Sequence, residues 1–464
     1  MKTLALCPAR LAFGCALALA ASAANATVIN ANPSNYRDAL ANLAPGDTLM
    51  LASGTYTQGL PVDDLSGTAS LPIKIVGADN QSSVFVARDC CNTVQLQDAA
   101  YVEIRNLTLD GANIDGPFGV DARGNTHHIT LENLRIINHG AEQQVVGIST
   151  KGPAWNWTIR HNTIIGAGTG IYLGNSDGTQ PFVAGIIEHN LIIDTIGYNI
   201  EIKHQQPRPT SIGLPTGSSR TIIRHNVFSK RSNSSTGDLA RPNVLVGHFP
   251  LSGTGSSDRY EIYGNFFYGN PTEALFQGEG NIALHDNLFV NSTGSAVNIQ
   301  PHNDAPRTVD VYHNTVVASA NGIRVTGGAA GFTQRIIGNA AFAATPISGP
   351  NQLQNVTGTY AAAANELNAP FAALGSLDLF PKSGRLSGAA IDLSTFAQYT
   401  DGTRDFNSRT RAGTFRGAYE GSGTNSGWRL ALQIKPSGLS SGPTPCPPAS
   451  VTVEGGTTAS TTCP

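Results

Sequence analysis

The feature that most constrains this chain is an asparagine, flanked by apolar residues, that recurs at intervals of 22 to 39 residues. Such self-similarity indicates an array of short repeated units. We expect every copy to occupy the same bend, with its side-chain amide bonded to the bends above and below. The copies are Asn106, Asn133, Asn162, Asn190, Asn226, Asn265, Asn287, Asn314 and Asn339.

Between the asparagines lie two or three short β-rich runs, with Gly and Asn at the bends and no long segment of helical period. Short strands repeated at this interval are typical of a solenoid whose coils stack through parallel strands. The 51 Gly and 13% charged residues agree with coils packed from small and aliphatic side chains. The sequence therefore predicts an all-β fold, a parallel solenoid.

One strand carries dense local chemistry. In the stretch NIEIKHQ, Ile200 and Ile202 alternate with Asn199, Glu201 and Lys203. Because successive side chains of a strand point to opposite faces, the two isoleucines face the core. Glu201 and Lys203 are then held side by side on the outer face.

Equivalent strands of other coils extend this outer face into a polar strip, since adjacent coils stand about 4.8 Å apart. One outward column is predicted to hold Asp121, Ser149, Tyr172, Glu201, Leu245, Phe276, Asn298 and Arg324. The neighbouring column is predicted to hold Arg123, Lys151, Gly174, Lys203, Gly247, Gly278, Gln300 and Thr326. Near the strand ends lie His204, His248, Glu279 and His302.

The strip suits a linear sugar chain, with glycines where the polymer approaches and aromatic rings as stacking platforms. The predicted substrate-binding residues are Tyr172, Arg208, Phe276, Asn298, Gln300, His302 and Arg324. Asp121, Arg123 and Lys151 lie farther from the long loops, so we expect them to be solvated surface charges. On the inner face, Ile171, Ile200, Val244 and Val297 are expected to stack on neighbouring coils.

The two ends of the chain differ from its middle. Residues 1–26 combine Lys2 and Arg10 with an apolar run and small residues, which is typical of a secretory signal peptide. We therefore expect a secreted or periplasmic protein whose solenoid spans 27–421. Residues 422–464 are rich in Ser, Gly, Thr and Pro and predict a strand or end cap followed by a linker-like tail.

Charge and hydropathy exclude two classes of partner. The chain has 29 basic and 32 acidic residues, which is not the composition of a nucleic-acid binder. No stretch beyond the signal peptide is long and apolar enough to predict a membrane span.

Four cysteines follow the signal peptide, namely Cys90, Cys91, Cys446 and Cys463. Export permits disulfides, and the C-terminal pair would close a short loop. The adjacent pair can form a vicinal ring, bond separately to the tail, or remain as thiols. The sequence does not decide between these pairings.

Near the N-terminus, Tyr36–Leu43 predicts a short amphipathic helix that caps the first coil. The following succession PGDTLML, SGTY and SGTASLPIKI resembles the start of pectate-lyase-like right-handed parallel β-helix proteins, nearest to the chondroitinase B/alginate lyase group. Residues 390–421 are similar to the closing segment of such helices. The resemblance covers roughly 28–421 and implies a right-handed β-helix that acts on an acidic, uronate-containing polysaccharide.

Two loops lengthen the coils beside the strand of Glu201, namely 205–220 and 230–242. Function in a rigid solenoid usually resides on such loops and on outward side chains. We expect the loops to wall a substrate groove and to contribute Arg208 and Arg241 to binding.

β-Elimination from a uronate requires neutralisation of the carboxylate, a base for the C5 proton and an acid for the departing oxygen. Asn199, Glu201 and Glu279 are the predicted ligands of Ca²⁺, which would neutralise the carboxylate. Lys203 is the predicted base, provided that burial or neighbouring cations lower its pKa. His248 or His204 is the predicted acid.

In the family that this chain resembles, carboxylates and a lysine on one coil act with an arginine and a histidine on the next. Glu201, Lys203 and His248 occupy comparable places. One acid here replaces two, and Gly247 stands where the family has its arginine. Arg241, at the entry to that strand, is the nearest substitute.

Three other functions remain open from the sequence. The segment AVNIQPHNDAPR resembles part of β-helical mannuronan C5-epimerases, in which His302 would be the key residue. A glycoside hydrolase requires two acids across the scissile bond, but Glu201 and Glu279 are expected about three coils, or roughly 14 Å, apart. A sugar-binding or adhesive solenoid would require only stacking and hydrogen-bonding groups.

Overall fold

A computed structural model describes residues 26–209 and 212–437, and these form a parallel β-helix. Each coil runs through a strand of a first sheet, an asparagine bend, a strand of a second sheet, a loop, and a strand of a third sheet. The three sheets contain 13, 12 and 11 strands, and all of their strand pairs are parallel. The all-β solenoid prediction is confirmed.

The first sheet consists of Val28–Ala31, Thr48–Leu51, Ile73–Gly77, Val102–Arg105, Thr130–Glu132, Thr158–Arg160, Ile186–Glu188, Arg220–Arg224, Arg259–Tyr263, Ile282–His285, Val309–Tyr312, Gln334–Ile337 and Gln352–Leu353. The second sheet consists of Gly54–Tyr56, Ser83–Val86, Leu107–Asp110, Arg135–Ile137, Thr163–Ile165, Leu191–Ile193, Val227–Ser229, Phe266–Tyr268, Leu288–Asn291, Thr315–Ala318, Ala340–Phe342 and Val356–Gly358.

The third sheet, which carries the polar strip, consists of Leu60–Asp63, Val94–Gln97, Val120–Arg123, Val146–Thr150, Thr169–Leu173, Ile200–Ile202, Val244–Val246, Phe276–Gly278, Val297–Ile299, Asn321–Val325 and Thr345–Ser348. A small parallel sheet joins Thr126–His127, Ala154–Trp155 and Phe182–Val183. Leu367–Ala369 and Asp378–Pro381 pair antiparallel outside the coils.

Helical elements are few and short in the part of the chain that the structure describes. The α-helices are Tyr36–Leu40 and Ala363–Glu366, and the 3₁₀ turns are Asp79–Gln81, Gly237–Leu239, Tyr360–Ala362 and Leu393–Phe396. The first helix is shorter than the expected Tyr36–Leu43, because Asn42 and Leu43 donate to carbonyls three residues back and tighten the last turn. Its role as a cap stays a prediction. In the described residues, no helix is long and apolar enough to cross a membrane.

The interior is a continuous column of aliphatic and aromatic side chains. Ile171 pairs with Ile200, which pairs with Val244, and all of these are fully buried. Phe276 lies between Val244 and Val297 on the following coils. The predicted inward stack is therefore confirmed, with one additional aromatic residue in it.

The asparagine ladder is buried and runs from Asn162 to Asn339 as predicted. Each side-chain amide donates to the side-chain oxygen of the next asparagine at 2.9 to 3.1 Å, and the ladder continues to Asn355. The amides also donate to backbone carbonyls, as from Asn226 to Ile187 at 2.9 Å. The repeat thus satisfies bend backbone groups that would otherwise be buried without partners.

Asn106 and Asn133 are not members of this ladder, which corrects the prediction of nine equivalent copies. Glu132 pairs with Arg160, so Asn133 aligns with His161 and Leu134 takes the ladder position beside Asn162. Both asparagines have positive φ, at 59° and 53°. An asparagine tolerates the left-handed conformation better than most residues, which accounts for its use there.

Residues 360–437 fold back along the outside of the coils. Tyr419, Trp428 and Leu430 are buried against apolar side chains of the second sheet such as Phe266 and Leu288. The described part of the 422–437 segment has no strand and packs against this sheet.

Several predicted features fall wholly or partly outside the described residues. These are most of the signal peptide, the tail after residue 437, and Cys446 and Cys463. Within the described part, Cys90 and Cys91 form a vicinal disulfide.

Candidate functional site on the third sheet

The outer face of the third sheet carries the predicted strip, but the strand register changes two of the residues expected in its columns. Strand pairing aligns Asp121, Ser149, Tyr172, Glu201, Leu245, Gln277, Asn298 and Arg324. Phe276 is fully buried and points inward, so it cannot be a stacking platform, and Gln277 takes its place. Glu279 in turn replaces Gly278 in the second column, since its N–H bonds the carbonyl of Val246 as that of Gly247 bonds Ile202. On this strand the predicted alignment was therefore one residue out of register.

The centre of the strip holds two lysines around one tyrosine. Lys203 Nζ donates to Glu201 Oε1 at 2.8 Å, as expected for same-face neighbours. Lys151 Nζ lies 3.7 Å from the centre of the Tyr172 ring, and Lys203 Nζ lies 5.7 Å from it. An ammonium over a ring face is attracted by the quadrupole of the ring. Tyr172 therefore lies between two ammonium groups, one on the coil before its own and one on the coil after it.

Lys151 is half-buried, which corrects the prediction of a solvated surface charge. Burial lowers its pKa below the usual 10.5 because the charged form loses hydration. The carboxylates of Asp121 and Glu201 oppose this shift, and the cations of Lys203 and Arg123 reinforce it. No local motif marks this lysine, because its partners come from three other coils.

Asp121 and Arg123 form the N-terminal edge of the cluster. Arg123 Nε donates to Asp121 Oδ2 at 2.7 Å, and Asn92 donates to the same oxygen at 3.1 Å. The Asp121 side chain is fully buried, whereas that of Arg123 is 59% exposed. Asp121 Oδ1 and Ser149 Oγ are buried without a hydrogen-bond partner. This edge thus presents one accessible guanidinium above a buried carboxylate.

The 230–242 loop brings Arg241 next to Tyr198, and its role as a wall of the groove stays a prediction. The guanidinium of Arg241 lies 5.9 Å from the Tyr198 ring, and its Nη1 donates to the carbonyls of Asp238 and Ala240 at 2.8 Å. Lys230 is fully buried and donates to the Arg241 carbonyl at 2.6 Å. Burial lowers the pKa of Lys230 to about 7. Arg241 therefore lies beside the site, and Lys230 supports it from beneath.

Burial also raises the pKa of both tyrosines of the site. For Tyr172 and Tyr198 the loss of hydration is the main cause, and the nearby Glu201 carboxylate adds to it. Both phenols therefore stay protonated across the physiological range and can donate a proton or a hydrogen bond.

The 205–220 loop leaves the opposite edge of the third sheet. Its Leu214 packs on Trp155 and Val183 of the small sheet. Arg208 is buried in an ion pair with Asp258 and also donates to the Pro215 carbonyl at 3.0 Å. Arg208 therefore holds the loop in place and is not free to bind substrate, contrary to the prediction.

The three histidines do not converge on the lysines. His248 is 2% exposed, and its two ring nitrogens face the carbonyls of Phe249 and Ala305. Because both ring nitrogens face protein carbonyls, neither is directed at the strip. His204 is partly buried, and burial together with Lys203 lowers its pKa. His302 is exposed near His204.

Calcium binding stays a prediction, and the three proposed ligands have different surroundings. The side chain of Asn199 is fully buried; its Nδ2 donates to Thr195 and to the Ser229 carbonyl, and its Oδ1 has no hydrogen-bond partner. Glu279 accepts from the backbone N–H of His248 and from three successive N–H groups at 302–304, so its carboxylate is already satisfied. Among the residues that the structure describes, no three His, Cys, Asp or Glu are grouped to hold a metal.

The strand register also places Glu201 and Glu279 closer together than the sequence predicts. The strands of Glu201 and Glu279 are separated by two coil steps, or about 10 Å, and not by three. Glu279 is nevertheless 1% exposed and bonded to four backbone N–H groups, so it is not available as a catalytic acid.

The far end of the strip is polar but not strongly charged. Arg324 Nη1 donates to Gln300 Oε1 at 2.8 Å. Asn298, two residues before Gln300, keeps a buried side-chain oxygen without a partner. Arg324 lies four coils from Glu201, which corresponds to about 19 Å. The predicted residues therefore form two groups along the strip, with Leu245 and Gln277 between them.

Comparison with known families agrees with the architecture. A family described as a right handed beta helix region matches residues 146–340, which includes the strip from Ser149 to Arg324. This match confirms the right-handed sense that the resemblance implied. The comparison with curated protein sequences finds no significant match.

Solved structures of similar architecture include several carbohydrate-active proteins. An alginate lyase from Paenibacillus sp. str. FPU-7 is 18% identical with a TM-score of 0.37, over 60% of this chain and 99% of that chain. A lacto-N-biosidase from Eubacterium ramulus is 12% identical with a TM-score of 0.49, over 72% and 68%. The A-module of a mannuronan C-5 epimerase from Azotobacter vinelandii is 17% identical with a TM-score of 0.47, over 69% and 92%. Similarities at this level do not identify the activity of this chain.

Proposed function

We propose that the protein is an exported polysaccharide lyase that cleaves a uronate-containing polymer by β-elimination. The observation that carries this proposal is the pair of Lys151 and Lys203 around Tyr172 on the outer sheet face, with Arg123 near Lys151. The strip is about eight coils long and extends from this cluster to Arg324, which suits a linear chain.

The cations supply the first requirement of the reaction. Arg123 is the most exposed of them, and Lys203 carries an ammonium held by Glu201 at 2.8 Å. Together they can bind the uronate carboxylate and stabilise the charge that develops as the C5 proton leaves. The positive side chains thus take the role that the sequence assigned to Ca²⁺.

Lys151 is the better candidate for the base. A base must be unprotonated at the working pH, and the pKa of Lys151 is lowered by burial. Lys203 is instead occupied by its ion pair with Glu201. We therefore assign proton abstraction to Lys151 and carboxylate binding to Lys203, in place of the base role first expected for Lys203.

Tyr172 completes the reaction as the acid. Its raised pKa keeps the phenol protonated, and it adjoins both lysines. In the proposed step, the C5 proton moves to Lys151 Nζ and the C5–H electrons form the C4–C5 double bond. The C4–O bond breaks, and the departing oxygen receives the Tyr172 proton.

The test is incubation of the purified protein with a panel of uronate polysaccharides, followed by ultraviolet absorbance of the unsaturated product. Growth of absorbance supports the lyase. Unchanged absorbance with an altered uronate composition would indicate C5-epimerisation, in which the proton returns to the opposite face. Retention of a polymer without any reaction would indicate a binding module.

A further inference from the structure

A cavity of about 250 Å³ lies beside the strip, at the edge of the third sheet where the strands end. Its walls come from the segments that follow three strands, at 204–207, 248–252 and 303–304. His204 follows Lys203 directly in the chain, so the cavity adjoins the proposed catalytic cluster on one side. None of the roles assigned above uses this space.

Buried charged side chains fix the walls of this cavity. Glu279 accepts the backbone N–H groups of 302–304 and that of His248. Arg307, which is 7% exposed, donates to the carbonyls of Pro250, Leu251 and Ser256. Glu279 and Arg307 are buried and form hydrogen bonds to the backbone of the cavity walls instead of to water. The cavity is therefore formed before any ligand binds.

The chemistry of the lining differs from that of the strip. Pro207 and Leu251 offer apolar surface at the mouth, and His204, Asn303 and Asp304 offer hydrogen-bonding groups. Among the described residues that line the cavity, none is a lysine or an arginine. A second uronate carboxylate would find no cation here, whereas the hydroxyls and apolar face of a neutral sugar match both kinds of surface.

We propose that this cavity binds a single neutral sugar that branches from the uronate chain lying on the strip. The volume is below that of sites for drug-sized ligands, roughly 300–1,000 Å³, which suits one sugar ring. The proposal rests on the proposed function, and it specifies the substrate as a branched or decorated acidic polysaccharide.

The test compares a linear hexauronate with the same hexauronate carrying one galactose, glucose or xylose branch. Ser252 is exposed at the cavity, so Ser252→Trp should fill it without disturbing the core. Ser252→Ala is the matched control, because it removes the hydroxyl and leaves the space open. Affinity is measured by calorimetry and turnover by ultraviolet absorbance, with circular dichroism to verify the fold.

We expect Ser252→Trp to weaken binding of at least one branched hexauronate by tenfold or more and to change the linear one by less than twofold. Ser252→Ala should leave all affinities unchanged. An equal effect of Ser252→Trp on linear and branched ligands, or no effect on either, would overturn the branch site. If the wild-type protein cleaves none of the ligands, the lyase proposal fails, but selective loss of branched-ligand affinity would still support the cavity.

Discussion

Lys151 and Tyr172 lie on adjacent coils, and the ammonium nitrogen of the lysine is 3.7 Å from the centre of the phenol ring. Burial lowers the pKa of the lysine and raises the pKa of the tyrosine relative to their ordinary values. These shifts move the two pKa values apart, which favours a lysine that accepts a proton and a tyrosine that keeps one to donate, the two roles that a one-step elimination requires.

Lys151→Ala should reduce turnover by about 10²–10⁴-fold, the usual contribution of a proton-transfer group. Lys74→Ala is the matched control, because Lys74 lies on the first sheet, away from the strip. Steady-state kinetics on the best polymer from the panel would measure both. Near-normal turnover in a folded Lys151→Ala protein would return the base role to Lys203.

Glu201→Gln should move the rising limb of the pH–rate profile to lower pH. The Glu201 carboxylate stabilises the Lys151 ammonium, so its removal lowers the pKa of Lys151 further. The base form then appears at a lower pH, by on the order of one unit for an opposite charge at close range. A shift of the Glu201→Gln profile to higher pH would contradict the assignment of Lys151. Lys203→Met should move the rising limb to higher pH, because Lys203 lowers the pKa of Lys151.

Chelation should leave activity unchanged. The cluster neutralises the substrate carboxylate with Arg123 and Lys203, and the carboxylate of the predicted ligand Glu279 is occupied by backbone N–H groups. Turnover before and after EDTA treatment, with Ca²⁺ added back, measures this directly. Loss of activity that calcium restores would reinstate a metal at Glu201.

Asn265→Ala should destabilise the protein by about 2–3 kcal/mol. The substitution removes the side-chain oxygen that accepts from the backbone and side-chain amides of Asn226, and the amide that donates to the Ile223 carbonyl; lost hydrogen bonds of buried groups are costly. Asn106→Gly is the control, because Asn106 lies outside the ladder at positive φ, a conformation that glycine adopts freely. Thermal or urea unfolding should show a clear loss for the first and little for the second.

The free energy of unfolding should depend on pH through the titration of Lys435. Its ammonium is buried against Phe406 and His225 and donates to the carbonyls of Gly264 and Phe406, and burial lowers its pKa to about 7. The unfolded chain binds this proton up to about pH 10.4, so stability should rise as pH increases from about 7 to 10. Below about 7 both states bind the proton, and the contribution is constant.

The matched measurement is the difference in melting temperature between the wild type and Lys435→Met across pH 7–10. Lys230 also has a lowered pKa and contributes in the same direction in both proteins, so the difference isolates Lys435. The difference in melting temperature between the two proteins should change steadily from pH 7 to 10. A gap that is independent of pH would contradict a deprotonated Lys435 in the folded protein.

The sequence by itself determined the solenoid, the ladder from Asn162 to Asn339 and the pairing of Glu201 with Lys203. These features repeat with the period of the coil or depend on alternation within one strand, so local patterns specify them. The lyase-like chemistry was also expected from the residues of that strand.

Only the tertiary structure decided which groups meet across coils. Strand register placed Phe276 in the core and Gln277 outside, a one-residue difference that reverses the face. Lys151, expected to be a solvated surface charge, is half-buried by neighbouring coils and becomes a candidate base. Arg208 forms an ion pair with Asp258, and Glu279 accepts hydrogen bonds from backbone N–H groups. Hydration and partners depend on residues far apart in the chain, and no local pattern records them.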